Sequence, residues 1–235
     1  MRDSVLVADI GGTNVRFGLG TTPDQPVERI RKYKISDFPN PETAVRRYFD
    51  DLGLSAGDLE AIGRACFCAA GPVEDDVVAL TNGSWLIDKE QIARSFELEF
   101  TLINDFSGLA YAIPYLPEDE LLKLGGGEPE AMSPKAIFGP GTGLGVSGAV
   151  PDRHGGWITL SGEGGHVAFA PRRELEDRIL AILRRRITGG RVSAERILSG
   201  AGLEMLFESL AEIEQVPVLP QSAKEIVETG MAEET

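Results

Sequence analysis

The chain has 235 residues and a formal charge of −14, from 23 Lys and Arg against 37 Asp and Glu, so a phosphate-backbone partner would be repelled over most of its surface and nucleic acid is disfavoured. Hydrophobic residues make up 42% and aromatics 7%, enough for a substantial core, and no apolar run approaches the roughly 18 residues of a membrane span. The N-terminal stretch MRDSVLVADIGG has acids at Asp3 and Asp9 around a short apolar strand and lacks a small-residue cleavage site, which argues against a signal peptide and for a soluble, cytoplasmic chain.

Taken in chain order, strands are predicted at 4–10, 14–20 and 27–35, the last a polar-apolar alternation typical of an edge. Pro39 and Pro41 introduce a helix over 43–52, with Ala44, Tyr48, Phe49 and Leu52 on its buried face. A buried strand follows at 61–69. It holds both cysteines, Cys66 and Cys68, which share one face, are too close in sequence for an easy disulfide and too few for a structural zinc, and so read as buried thiols. Residues 86–95 read as helix, 99–103 as strand, and 105–113 as a helix stopped by Pro114. After a loop containing Gly125 to Gly127, strands at 135–139, 144–150 and 156–160 repeat the opening meander. From Arg173 onward the pattern is helical, at 174–187, 199–213 and 222–229, with no later strand. The result is an α/β fold with an internal repeat.

Two glycine-rich tips, ADIGGTN and FGPGTGLG, are each followed by strand rather than helix. That excludes a dinucleotide fingerprint, whose glycines open a helix, and the absence of any Gly-Lys pair excludes a Walker A loop. What remains is either two ordinary glycine turns or two β-turns whose unshielded backbone N–H groups grip phosphate oxygens. On the second reading, the first tip contributes Gly11, Gly12, Thr13 and Asn14, and the second Gly141, Thr142 and Gly143. Asp9 then holds Mg2+ through water, because a hard cation keeps most of its hydration shell and prefers carboxylate oxygen.

These tips belong to a longer series. DIGGTN with Arg16, AGPV at 70–73, TNGSW at 81–85, INDF at 103–106, FGPGTGLG at 138–145, EGGH at 163–166 and SAERILSG at 193–200 resemble the bacterial glucokinases of the zinc-free type, in that family's order and over essentially the whole chain. The resemblance implies the sugar-kinase, actin and heat-shock-chaperone ATPase superfold, with two ribonuclease-H-like α/β domains flanking a cleft. The smaller would span 1–115 with the first hairpin, and the larger 116–235 with the second hairpin and the sugar-binding residues. It also implies transfer of the γ-phosphoryl of ATP to the 6-hydroxyl of glucose, with Mg2+, in a homodimer.

Under the same resemblance Asp105 is the base that takes the hydroxyl proton, although its place after EFTLIN equally suits a helix N-cap. Asn104 holds a neighbouring sugar hydroxyl. Glu163 and His166 lie in a segment too glycine-rich for a helical metal pair, and suit several hydroxyls that each need a donor and an acceptor. Glu195 matches a further sugar-contacting glutamate, with a capping-box acid or solvated helix residue as its local alternative. His154 reads as loop, Trp85 as packing, and Arg184 to Arg186 as a solvated face.

The family's pattern continues beyond VETGMAEET into a segment that packs on the adenine and a last helix, so a truncated chain is expected, with an incomplete second domain, one sheet face uncovered and weak Mg-ATP binding. Related kinases and repressors with a cysteine-built zinc site are disfavoured, since no cysteine follows Cys68. A non-catalytic sugar-binding or regulatory fragment is the alternative function, and a general actin-type ATPase, a third reading, would not need Glu163 and His166.

Overall fold

The computed structural model describes residues 4–22, 25–80 and 83–233; Asp3, and Thr81 and Asn82 of the TNGSW motif, lie outside them. The chain divides into two compact units, Met1–Ser133 with Pro151–Thr159, and Pro134–Val150 with Leu160–Thr235. No helix among the described residues is long and apolar enough to cross a membrane.

In the first unit, β1 (Ser4–Ile10), β2 (Asn14–Gly20) and β3 (Glu28–Lys34) form the expected meander. Next come α1 (Pro41–Leu52), α2 (Ala56–Ala61), β4 (Ile62–Ala69), β5 (Val77–Ala79), β6 (Leu86–Asp88), α3 (Lys89–Phe96), β7 (Glu99–Asn104) and α4 (Asp105–Ala112). The main sheet has the order β3-β2-β1-β4-β7, antiparallel from β3 to β1 and parallel from β1 through β4 to β7. Strand alternation sends Leu6, Ala8, Ile10, Phe17, Ala65 and Phe67 into one core with Val45 and Tyr48 of α1 and Ile92 of α3. Its centre is aromatic, with Phe17 stacked near Tyr48 at 5.4 Å and Phe67 meeting Phe100 edge-on at 4.8 Å.

Four elements differ from the sequence reading, among them β5 (Val77–Ala79), which it lacks. Helix α1 starts two residues earlier than predicted, because Asn40 accepts from Thr43 N and Pro41 takes the first helical position, where its missing N–H costs nothing. The short α2 was not predicted. It buries no residue, so it has no apolar stripe to read, and Ser55 and Asp58 hold it by a capping box. The predicted helix 86–95 divides at Asp88, whose side chain accepts from Gln91 N to start α3. Leu86–Asp88 pairs with Val77–Ala79 instead.

Trp85 packs as expected: it is 2% exposed and its Nε1 donates to the Phe38 carbonyl at 2.9 Å. Cys66 and Cys68 are half-buried on the opposite face from Phe67. Helix α4 lies on that face so closely that a Cβ at Gly108 would be 2.5 Å from Cys68 Sγ. The hydrogen bond with Cys66, together with burial, pushes the Cys68 thiol far above the ordinary range, the condition of an inert thiol.

Next in the chain, β8 (Lys135–Pro140), β9 (Leu144–Pro151) and β10 (Trp157–Gly162), the last divided between the two units after Thr159, make a sheet of order β10-β9-β8. Helices α5 (Glu174–Arg186), α6 (Gly200–Glu214) and α7 (Ala223–Glu233) follow. The core of the second unit is aliphatic: Ile179, Leu180, Leu183 and Val192 pack with Leu206, Leu210 and Ile213. Arg184 to Arg186 are exposed, as the sequence reading has them, and Arg185 and Arg186 also bridge α5 to α6 through Glu212 and Glu208 at 2.8 to 3.1 Å. Helical spacing shows only that these arginines are off the core, not that a second helix brings acids beside them. Phe138 is 68% exposed and Ile158 and Leu160 are 53% exposed, so apolar side chains of this sheet face solvent. His154 lies in the exposed turn between β9 and β10, its N–H held by Asp152.

Candidate functional site

The first unit gathers its chemistry at one end of the parallel strands. In register, Ile10, Ala69 and Asn104 form one row across β1, β4 and β7, so Asp9 and Asp105 flank that row two strands apart, about 10 Å by strand spacing. The β1–β2 turn is closed by Gly11 N donating to the Asn14 carbonyl at 3.0 Å, and Ile35 N secures the Thr13 carbonyl at 3.0 Å. Gly83 of the TNGSW motif packs against it: a Cβ there would lie 3.3 Å from the Gly12 carbonyl. Asp9 sits opposite Arg16 in the ladder and accepts from its Nη1 at 2.9 Å, with both side chains more than half exposed.

Asp105 is the first residue of α4, and the N-cap is Asn104, so the capping alternative belongs to the neighbour. Asn104 Oδ1 accepts from Phe106 N at 3.0 Å and Ser107 N at 3.3 Å, while Nδ2 donates to the Gly71 carbonyl at 3.0 Å and to Asp105 Oδ1 at 2.9 Å. Asp105 Oδ1 also accepts from Phe106 N at 2.9 Å. The AGPV segment, which the sequence analysis left without a role, thus fixes the amide that fixes Asp105. Burial raises the Asp105 carboxyl above the ordinary range and the charge of Asp9 adds to this, against the lowering effect of the Phe106 N–H and Asn104.

The second unit holds the other candidates. In the β8–β9 turn, Gly141 N donates to the Gly143 carbonyl at 2.8 Å, and Gly141 and Thr142 are exposed. Gly165 is buried because a Cβ would run into the Leu144 carbonyl. Beside it Glu163, His166 and Glu195 converge, with His166 Nε2 3.6 Å from Glu163 Oε2 and His166 Nδ1 3.8 Å from Glu195 Oε1. These separations exceed hydrogen-bond length, so the three groups face one another with donor and acceptor capacity left for hydroxyls. Glu195 lies in a turn preceding α6 rather than on a helix, and Ser199 is the cap of α6. Its Oε2 accepts from Leu144 N at 3.0 Å, and Arg191 holds the His166 carbonyl at 2.9 Å. Neither partner was legible, since no short-range spacing links residue 195 to residue 144.

Among the described residues no group of three or more His, Cys, Asp or Glu is placed to hold a metal. Mg2+ nonetheless fits Asp9, because that ion keeps several waters and needs only one or two carboxylates, and Asp9 is exposed. A cleft of about 290 Å3 lined by Arg46, Phe49, Ile62 and Phe96 lies elsewhere, at the strand end that begins β4, away from Asp9 and Asp105.

A family profile described as Glucokinase matches residues 6–235. The chain is 41% identical over 214 residues to a glucokinase of Chromohalobacter salexigens, covering 91% of this chain and 65% of the relative. It is 39% identical over 237 residues to one of Salmonella typhi, covering 99% and 70%. The chain thus spans about two thirds of the length of these curated relatives. Among solved structures it is similar to a glucokinase from an Antarctic psychrotroph, with a TM-score of 0.84 at 32% identity, covering 99% of this chain and 72% of that one. The fold is also that of a Balamuthia mandrillaris glucokinase solved in complex with glucose, with a TM-score of 0.72 at 22% identity, covering 96% and 68%.

Proposed function

The chain belongs to the glucokinase family, and from that premise we propose that it transfers the γ-phosphoryl of ATP to the 6-hydroxyl of glucose, giving glucose 6-phosphate and ADP. The observation that carries the sugar half of this reading is the convergence of Glu163 and Glu195 on His166, at 3.6 and 3.8 Å from its two ring nitrogens. A general ATPase has no need of such a cluster. Carboxylate acceptors around an imidazole serve hydroxyls that must donate and accept at once.

Asp105 takes the proton of the 6-hydroxyl on Oδ2, since Oδ1 is engaged by Phe106 N and Asn104. Burial, with the charge of Asp9 adding to it, raises its pKa, which makes it a better proton acceptor than a free carboxylate. Asn104 contacts a neighbouring sugar hydroxyl with Oδ1, and Phe106 N keeps a partner when it does so, because Asp105 also accepts from it. The turns of Gly11, Gly12, Thr13 and Asn14 in one unit, and of Gly141, Thr142 and Gly143 in the other, are read as binding phosphate oxygens of ATP through backbone N–H groups, with those of Gly11 and Gly141, which close the turns, shaping them from within. Asp9, which accepts from Arg16 Nη1, would hold hydrated Mg2+, and the ion when bound would neutralise phosphate charge. The two functional domains are read as 1–115 and 116–235. They differ from the compact units chiefly in the allocation of 116–133, where no strand or α-helix is described. The protein is proposed to act in the cytoplasm as a homodimer.

A coupled assay for glucose-dependent ADP release tests this directly, and ADP release that ignores glucose would sink it. Glucose binding without turnover would leave the chain a sugar-binding protein. Glu163→Ala and His166→Ala are each expected to weaken glucose binding by about 1–3 kcal/mol, the cost of stranding a polar partner. Calorimetric titration showing wild-type affinity in both places the sugar elsewhere.

A further inference from the structure

One short segment of the second unit touches both parts of its functional surface. Glu195 N donates to the Gly165 carbonyl at 2.9 Å, next to His166, and Gly200 N donates to the Gly141 carbonyl at 2.9 Å, in the turn of the second hairpin. Between these backbone anchors the Glu195 carboxylate divides its oxygens. Oε2 accepts from Leu144 N at 3.0 Å, while Oε1 faces His166 Nδ1 at 3.8 Å. Gly143 admits the carboxylate, since a Cβ there would sit 2.6 Å from Oε2. A glutamate that met only a sugar would need no oxygen on a peptide N–H 51 residues away. That N–H directly follows the amides assigned to phosphate.

We infer that Glu195 is a positioning residue for the phosphate-binding turn as well as a sugar contact. This rests on the proposed sugar and phosphate roles. The turn's amides bind an anion well only if they are held converging beforehand. The turn itself has one internal bond, from Gly141 N to the Gly143 carbonyl. Glu195 Oε2 pins its exit at Leu144, and Gly200 N pins its start at Gly141. The same carboxylate therefore serves the nucleotide through one oxygen and the sugar through the other.

The test is calorimetry on the whole chain, with glucose and Mg-ATP titrated separately into wild type, Glu195→Ala, Glu195→Gln and Gly143→Ala. Glu195→Ala is expected to weaken both ligands, Mg-ATP by roughly tenfold, as loss of a charge-assisted hydrogen bond requires. Glu195→Gln should restore Mg-ATP binding to within about twofold, since an amide oxygen still accepts from Leu144 N, while glucose binding stays weak because an NH2 replaces Oε1. Gly143→Ala, which crowds Oε2 and lies in the phosphate turn, should weaken glucose binding through the displaced carboxylate. Should Glu195→Ala not fold, Gly143→Ala decides the matter. Loss of glucose binding alone in Glu195→Ala, or unchanged glucose binding in Gly143→Ala, overturns the inference. A wild-type chain that binds neither ligand overturns the proposed function, and the inference with it.

Discussion

Asp105→Asn is expected to lower glucose-dependent turnover by roughly a hundredfold to ten-thousandfold, the span for losing a general base, while glucose binding stays near that of wild type. The substitution is close to isosteric: an amide oxygen still accepts from Phe106 N, as Oδ1 does at 2.9 Å. What it removes is the carboxylate oxygen proposed to take the proton. The acid limb of the wild-type pH–rate profile should lie above the ordinary aspartate range, because burial and Asp9 both raise this carboxyl. Stability should move the other way. A folded-state pKa above the unfolded value means that the stability tied to this group is fully present below the unfolded pKa and is lost as pH rises through the folded one. At neutral pH Asp105→Asn should therefore melt no lower than wild type, and any gain should disappear below the carboxylate range. Kinetics and melting curves across pH check both; wild-type turnover in the variant removes Asp105 from the mechanism.

Gly165→Ala is expected to abolish measurable glucose binding, a loss of at least about a hundredfold, and to destabilise the second unit by about 1–3 kcal/mol, the usual cost of overpacking. The added Cβ meets backbone, at the Leu144 carbonyl, and cannot turn aside as a clash with a flexible side chain could. Relief requires moving either β9 or the Gly165–His166 segment, whose carbonyl at Gly165 also anchors Glu195 N. Gly162→Ala is the control, since a Cβ there meets nothing within 4 Å. Calorimetry and urea midpoints on both variants provide the measurement, and a Gly165→Ala protein that binds glucose normally refutes this packing.

Both hairpins and the position of each glycine tip could be read from period-two alternation broken by glycine, because that signal is local. The same local logic found α5 and α6, whose apolar stripes are long. It failed at α2, which buries nothing, and at Leu86–Asp88, where three residues of strand run into a helix and only Asp88 marks the border. At the candidate site, INDF marked a polar dipeptide, but spacing could not divide the work between its two residues. A cap and a base look alike until the N–H of Ser107 is seen to choose Asn104. The contacts of Glu195 with Leu144, and of Asn104 with Gly71, join residues 51 and 33 positions apart. Such pairs follow from strand order, which no single-window pattern encodes.

The contrast between an aromatic first core and an aliphatic second one has a spectroscopic consequence. Trp85 and all four tyrosines, Tyr33, Tyr48, Tyr111 and Tyr115, fall within the first unit, whereas Trp157 opens β10, a strand of the β10-β9-β8 sheet. The tyrosines and Trp85 therefore report on that unit, and Trp157, on the strand that leads to Glu163, is the indole placed to sense a titration that perturbs Glu163, His166 or Glu195. In a Trp157→Phe variant, denaturation followed by fluorescence would trace the first unit alone, while far-ultraviolet dichroism would sum both. A gap between the two curves would then measure directly how independently the units melt.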